Sequence, residues 1–451
     1  MNYHNIRSHI ENSIKSCPVL RIVILFALVI ISATGSFAQG DRDWDPHAMP
    51  GQESRHESIK LPSAWTLTYP LGFHVPADVD TAQYNYQRRS IPTMASDAWA
   101  TTGNLGSPGM NLLWFEKAKP SGFIFFDALE FWMPSFAKQK FHNIYVPTTI
   151  LQYNYCGSSE SHQDRLQADF AGNVNRRIGI GGFIDYLHSK GVYNYQAAKN
   201  FNFGISGYYY GDRYELQTFY HQIYHQNLEN GGITDDRYIT DPGAVQGGVT
   251  SVQYKSIPTQ LTSAKNGLRG AQFFMNHAYK IGYWREEEVN DTLTRDVYIP
   301  VMKIIYSFDF KTYDHSFTEK TNSTTFWKNT YFNQSWTDDQ SKLNTFSNTI
   351  GIYLIEGFRK WIKFGLSAYA TYQINKFVLP NQFYLPSSDE SDSSGNRPDE
   401  SESTDGLTPL PSSGIPDAKH NQNFLFIGGR IEKSKGSILR YNAEARFGLS
   451  G

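Results

Sequence analysis

The sequence predicts an all-β fold, an antiparallel transmembrane β-barrel, and three observations predict it. First, the stretch from Thr148 to Gln226 reads as five segments of about ten residues that alternate apolar and polar side chains. This is the period of strands with hydrocarbon on one face and water on the other. Second, short and long connections alternate after residue 148, as in a barrel with tight turns at one end and long loops at the other. Third, the chain is 40% hydrophobic and 15% aromatic, yet its mean hydropathy is −0.48. That balance suits a wall in which only alternate residues meet lipid and aromatic side chains gather at the two rims. A soluble antiparallel sheet shows the same alternation around a core, but has no reason to keep its long loops at one end.

The chain opens with Arg7, Lys15 and Arg21, then the apolar run Ile22 to Ala33, then Ser36-Phe37-Ala38. This order predicts a secretory signal peptide over residues 1–38 and a mature chain beginning near Gln39. Removing it leaves a formal charge of −4 with no basic bias, so nucleic acid is not an expected partner. Cys17 leaves with the signal, and Cys156 alone excludes an internal disulfide framework and a cysteine-based metal site. No later stretch approaches the ~20 apolar residues of a spanning helix, so a membrane role falls to strands. Residues 39–147 are punctuated by Pro46, Pro62, Pro76, Pro92, Pro108, Pro120 and Pro134. They are expected to be an N-terminal periplasmic or lumen-plugging segment, too poor in regular elements for a separate domain.

Residues 148–451 carry the expected barrel strands: Thr149 to Tyr155, Arg165 to Asn173, Ile178 to His188, Phe201 to Tyr210, Arg213 to Gln222, Ala271 to Tyr283, Val301 to Lys311, Leu343 to Ile355, Trp361 to Ile374, Asn423 to Ile431 and Ile438 to Leu449. Phase is clearest in the last, where Leu439, Tyr441, Ala443, Ala445, Phe447 and Leu449 alternate with Arg440, Asn442, Glu444 and Arg446. In Trp361 to Ile374 the outward set is Ile362, Phe364, Leu366, Ala368, Ala370 and Tyr372. The long connections 227–270, 312–342 and 376–422 are read as extracellular loops. The last contains Asp389-Glu390-Ser391-Asp392 and Asp399-Glu400-Ser401-Glu402, a composition that stays solvated. Trp284 to Asp296 breaks the alternation, since it takes a short-turn place with a long segment.

Eleven charged residues fall on the inward faces and are the candidate lumen lining: Arg165, Asp169, Asp185, Glu215, Lys303, Asp309, Lys363, Arg430, Arg440, Glu444 and Arg446. Each either braces the wall through an ion pair or sets the selectivity of a pore. His221 and His225 look like a metal pair, but four strand residues span roughly 13 Å, and the two are read as lumen lining. No G-x-S-x-G elbow occurs and no triad stands out. Neither catalysis, a bound metal nor a cofactor is expected.

Several separated motifs resemble the Putative porin family of Bacteroidetes outer membranes. They are Ala64-Trp65-Thr66-Leu67, Thr101-Thr102-Gly103-Asn104-Leu105-Gly106, Asp127-Ala128-Leu129, Phe141-His142-Asn143 with Val146-Pro147-Thr148, Leu151-Gln152-Tyr153, Asp164-Arg165-Leu166-Gln167-Ala168, Lys190-Gly191-Val192-Tyr193-Asn194-Tyr195-Gln196 and Glu229-Asn230-Gly231-Gly232-Ile233-Thr234-Asp235-Asp236. The resemblance implies a porin in the outer membrane of a Gram-negative bacterium and carries over no catalytic or ligand-binding residue. The sequence departs from that pattern in having an odd strand count and in ending at Leu449-Ser450-Gly451 without a terminal aromatic, which sets the expectation of a truncated chain and an incomplete barrel. The expected function is passive diffusion of small hydrophilic solutes, with outer-membrane lipid as the other partner. Two alternatives stand beside it: a plugged barrel acting as surface receptor or secretion-assembly component, and a secreted soluble β protein that binds glycans.

Overall fold

A computed structural model describes residues 63–79, 96, 98–117, 120–175, 177–248, 250–290, 293–321, 323, 325–327, 336–357, 363–379, 418–433 and 440–450. The chain divides into two units: residues 1–62 with 145–147, and residues 63–144 with 148–451. The account below concerns the second. The expected signal peptide and the acidic stretch 380–417 lie outside the described residues.

All eleven expected wall strands are present. After five short strands, β1 (Ser63–Thr68), β2 (Phe73–Ala77), β3 (Trp99–Thr101), β4 (Gly109–Asn111) and β5 (Phe141–Asn143), the wall comprises β6 (Thr148–Cys156), β7 (Gln163–Asn175), β8 (Ile178–Ser189), β9 (Ala198–Tyr210), β10 (Tyr214–Glu229), β11 (Ala264–Asn290), β12 (Leu293–Glu319), β13 (Thr337–Leu354), β14 (Gly365–Leu379), β15 (Ala418–Lys433) and β16 (Tyr441–Ser450). Each pairs antiparallel with its sequence neighbour in an eleven-stranded sheet, ordered β16 to β6. The two edge strands are not paired with each other among the described residues, so the sheet is an open, incomplete barrel wall.

Several strands run well past their expected ends, and the segment Trp284 to Asp296 is corrected outright. It is no loop, because β11 and β12 stay paired out to Asn290↔Leu293. Alternation fades where both faces of a strand are polar, as in Lys265-Asn266 and Asp338-Asp339-Gln340, although the backbone ladder continues. Pro300 sits opposite Gly282 at a register shift, where a residue without an amide proton is tolerated. A Cβ at Gly282 would collide with the Ile299 carbonyl oxygen, so glycine is required there.

The outward phase is as read from the sequence. In β14 Leu366 and Tyr372 are exposed, whereas at the edge strand β16 both faces are exposed, Phe447 to 66%; Leu439 lies outside the described residues. On the opposite face of β14, Ser367, Tyr369 and Thr371 are buried. Across neighbouring strands the outward residues form apolar rows, one running Phe170, Gly182, Ile205, Tyr220 and Phe273. Two tyrosines in this face are satisfied along their own strand: Tyr220 donates to Gln222 at 2.5 Å and Tyr224 to Gln226 at 2.9 Å. Among the described residues no helix is long and apolar enough to cross a membrane, and the strands are the elements suited to do so.

The described part of residues 63–144 carries more regular structure than its composition implies. β1 pairs with β2 and β5 in a three-stranded sheet, β3 with β4 antiparallel, and short helical turns lie at Trp114–Glu116, Ile124–Asp127, Glu130–Trp132 and Phe136–Lys138. They pack on the inward face of the wall through three apolar clusters. Trp65 and Phe141 meet Tyr208, Phe219 and Phe274; Phe126, Trp132 and Met133 meet Leu187, Ile223 and Leu268; Leu71 meets Ala278, Ile305 and Tyr369.

Candidate functional site

The inward face of β10 shows how the wall is built. Glu215, Gln217, Phe219, His221, Ile223, His225 and Asn227 share this face by the two-residue period, and from Gln217 onward all are buried. Phe219 and Ile223 are apolar residues in phase with the polar set, and both meet the inner segment. That signal was readable in the sequence, and the polar-face assignment alone passed over it. His221 and His225 line the lumen face as expected. His221 Nε2 lies 2.7 Å from Gln139 Oε1, and both rings are covered by neighbouring residues.

Polar tethers fix the inner segment in register. Trp132 is the hub: its indole donates to the Ser107 carbonyl at 2.9 Å, its own carbonyl accepts from Asn200 at 3.2 Å and Asn202 at 2.7 Å, and the Arg165 guanidinium lies 5.3 Å from its ring centre. Lys138 donates to the carbonyls of Glu130, Phe131 and Met133 and closes this turn, while burial pushes its ammonium down to about 8. Nearer the short-turn end, Asn276 donates to the Leu71 carbonyl at 2.9 Å. The next residue, Gly72, has φ +68° and leaves no space for a Cβ against the Asn276 side chain, so both backbone and packing require glycine. At the long-loop end Asn104 bonds Ser189 and donates to the Gln196 carbonyl at 2.6 Å.

The eleven charged candidates can now be placed. Arg165 is buried in a two-point pair with Asp185, at 2.9 and 2.5 Å. Asp169 is on the same face of β7 and exposed. Glu215 joins Lys280 at 3.0 Å and Lys303 at 2.6 Å. Asp309 is buried, accepts from Gln272 at 2.9 Å and pairs with Lys311, whose ammonium lies 5.6 Å from the Tyr69 ring. Arg430 bridges to Glu432 at 2.6 Å and stacks on Phe73. Glu444 accepts from Tyr369 at 2.5 Å, and Arg446 lies 3.8 Å over the Phe426 ring. Arg440 is exposed just before β16. Lys363 departs from its expected place, standing exposed ahead of β14 and not in its ladder.

The Glu215 and Arg430 clusters converge on one cavity of about 560 Å³ at the short-turn end. Its lining includes His74 from the inner segment, Glu215, Lys303, Arg430, Glu432 and Arg440. His74 sits against the Tyr210 hydroxyl at 2.7 Å and against the Gln217 amide, which donates to it. Burial, with a smaller contribution from Lys303, pushes its imidazole down to about 4. Sequence reasoning missed Lys280, Lys311 and Glu432, the partners that neutralise three of the expected residues, and missed the contribution of His74. Pairing across strands depends on register, which hydropathy does not encode at single-residue precision.

An antiparallel wall, apolar outside and charged inside, with each strand paired to its chain neighbour, is the architecture of an outer-membrane β-barrel. The chain belongs to the Putative porin family, whose model matches residues 65–451. No curated protein matches the sequence. Among solved structures the chain is similar to the ferric-catecholate import receptor Fiu from E. coli K12, with 12% identity and a TM-score of 0.38 over 67% of this chain and 40% of that one. It is also similar to the siderophore receptor PirA from Acinetobacter baumannii, with 10% identity and a TM-score of 0.37 over 67% of this chain and 38% of that one. The chain thus spans about two fifths of the length of these structures.

Proposed function

We propose that this outer-membrane barrel conducts small hydrophilic solutes by passive diffusion, and that residues 63–144 narrow its lumen as a seated plug. The observation that carries the reading is the cavity at the short-turn end, where ammonium, guanidinium and carboxylate groups face one another across about 560 Å³. Mixed charges at a constriction discriminate among solutes by sign and size, and no chemical step or bound cofactor is needed. In this reading the signal 1–38 is removed on export, and the long loops face the exterior. A second reading, a plugged receptor, is favoured by the hydrogen bonds that seat Leu71, Asn104 and Trp132 against the wall. Reconstitution of the full-length protein in planar bilayers separates the two. Stepwise ion conductance is the result expected of a channel. Folded, inserted protein that stays electrically silent would overturn it in favour of the receptor.

A further inference from the structure

Two histidines and an aspartate gather on the opposite face of the wall from the charged cavity, at the long-loop end. Asp164 of β7 is directly opposite His188 of β8, and His162 stands two residues before Asp164. One ligand atom from each of the three lies within 4.8 Å of the other two. His188 Nδ1 is 3.6 Å and His162 Nε2 4.0 Å from Asp164 Oδ1. Both separations are too long for hydrogen bonds. They lie close to the ~3.3 Å between donors that share an ion at about 2.0–2.1 Å in tetrahedral geometry. Asp164 Oδ1 is itself buried and accepts no hydrogen bond among the described residues, a costly state for a carboxylate oxygen unless something cationic meets it.

The backbone supports the arrangement. The Lys190 amide donates to the His162 carbonyl at 3.1 Å and ties the loop after β6 to the end of β8. The His162 ring stacks on Tyr155, with centres 6.2 Å apart and planes 16° from parallel. Tyr155 is the next outward residue across the sheet from Asp164.

We propose that His162, Asp164 and His188 form a binding site for a divalent transition metal of the zinc type. Two imidazoles and a carboxylate are ligands such ions favour over calcium or magnesium, and a fourth position stays open to water. A bound ion would clamp the rims of β7 and β8 beside the first loop. Lys199, opposite His188 on β9, is the neighbouring positive charge that opposes the ion.

The test is titration of the detergent-folded full-length protein with Zn²⁺ by calorimetry, and with Co²⁺ by visible absorption. Expected are one equivalent of Zn²⁺ in the micromolar range, Co²⁺ bands of low coordination number, at least tenfold weaker binding in His162→Ala and His188→Gln, and tighter binding in Lys199→Ala. Asp164→Asn serves as a second variant should a histidine change impair folding, which is checked by unchanged heat-modifiable migration. Absence of a stoichiometric site, or a site of unchanged affinity in folded His162→Ala and His188→Gln, would overturn the proposal.

Discussion

Asn276 joins two parts of the chain 205 residues apart through one hydrogen bond to the Leu71 carbonyl. Its replacement by alanine leaves that buried carbonyl unpaired, at a cost of about 1–3 kcal/mol. The expected outcome is faster proteolysis within residues 63–144 while the wall stays resistant. At Glu215 the change is electrostatic. Glu215→Gln leaves Lys280 and Lys303 without their shared carboxylate; reversal potentials in a salt gradient should then shift toward anion preference, and an unshifted potential would remove Glu215 from the conduction path. His74 supplies a pH dependence. Its imidazole is held at about 4 when docked and returns to about 6.5 when released, so the released state binds more protons between these values. Docking of the inner segment is therefore full above about pH 6.5 and weakens as pH falls toward 4. Protection of β2 amides, taken as exchange relative to the intrinsic rate at each pH, should fall as pH drops through that window in the native protein and stay flat in His74→Gln.

At the level of elements, the eleven strands and their facing were legible because the two-residue period survives wherever lipid is on one side. The turn between β9 and β10 was legible for the same reason, since Gly211-Asp212 interrupts two clean alternations. The extension of β11 past Tyr283 and of β12 ahead of Val301 was not legible: the charged run Arg285 to Glu288 does not alternate, and the pairing lies in backbone hydrogen bonds that any side chain permits. The order within residues 63–144 was hidden differently. Its strands are three to six residues long, and β1 and β5 bury Trp65, Leu67 and Phe141 against the wall, so their pattern reflects a partner remote in sequence. A face-specific prediction belongs at this scale. Ile205 is 40% exposed in the apolar row and Asn202 of the same strand is buried on the inner face. Ile205→Lys should destabilise the barrel by about 2–4 kcal/mol in lipid, read as a lower urea midpoint after reconstitution. Asn202→Ala should leave the wall's midpoint nearly unchanged and loosen the inner segment.

For the whole molecule, wall, inner segment and cavity follow from one partition: outward side chains dissolve in hydrocarbon, and inward ones are shared between water and residues 63–144. The fold class was legible because this partition acts on every strand. The site was only partly legible, because a charge can be assigned to the inner face by counting, whereas its partner depends on which strand stands opposite and at what offset. Thus Glu215 was identifiable and Lys280 was not, although the two lie 3.0 Å apart. The partition is tested most directly by spin labels placed singly from 216 to 223 along β10 in a Cys156→Ser background, with the protein in lipid. Labels at 216, 218, 220 and 222 should be relaxed by oxygen dissolved in the bilayer, and those at 217, 219, 221 and 223 should not. The reverse pattern, or equal relaxation at all eight positions, would contradict a wall with lipid outside and charge within.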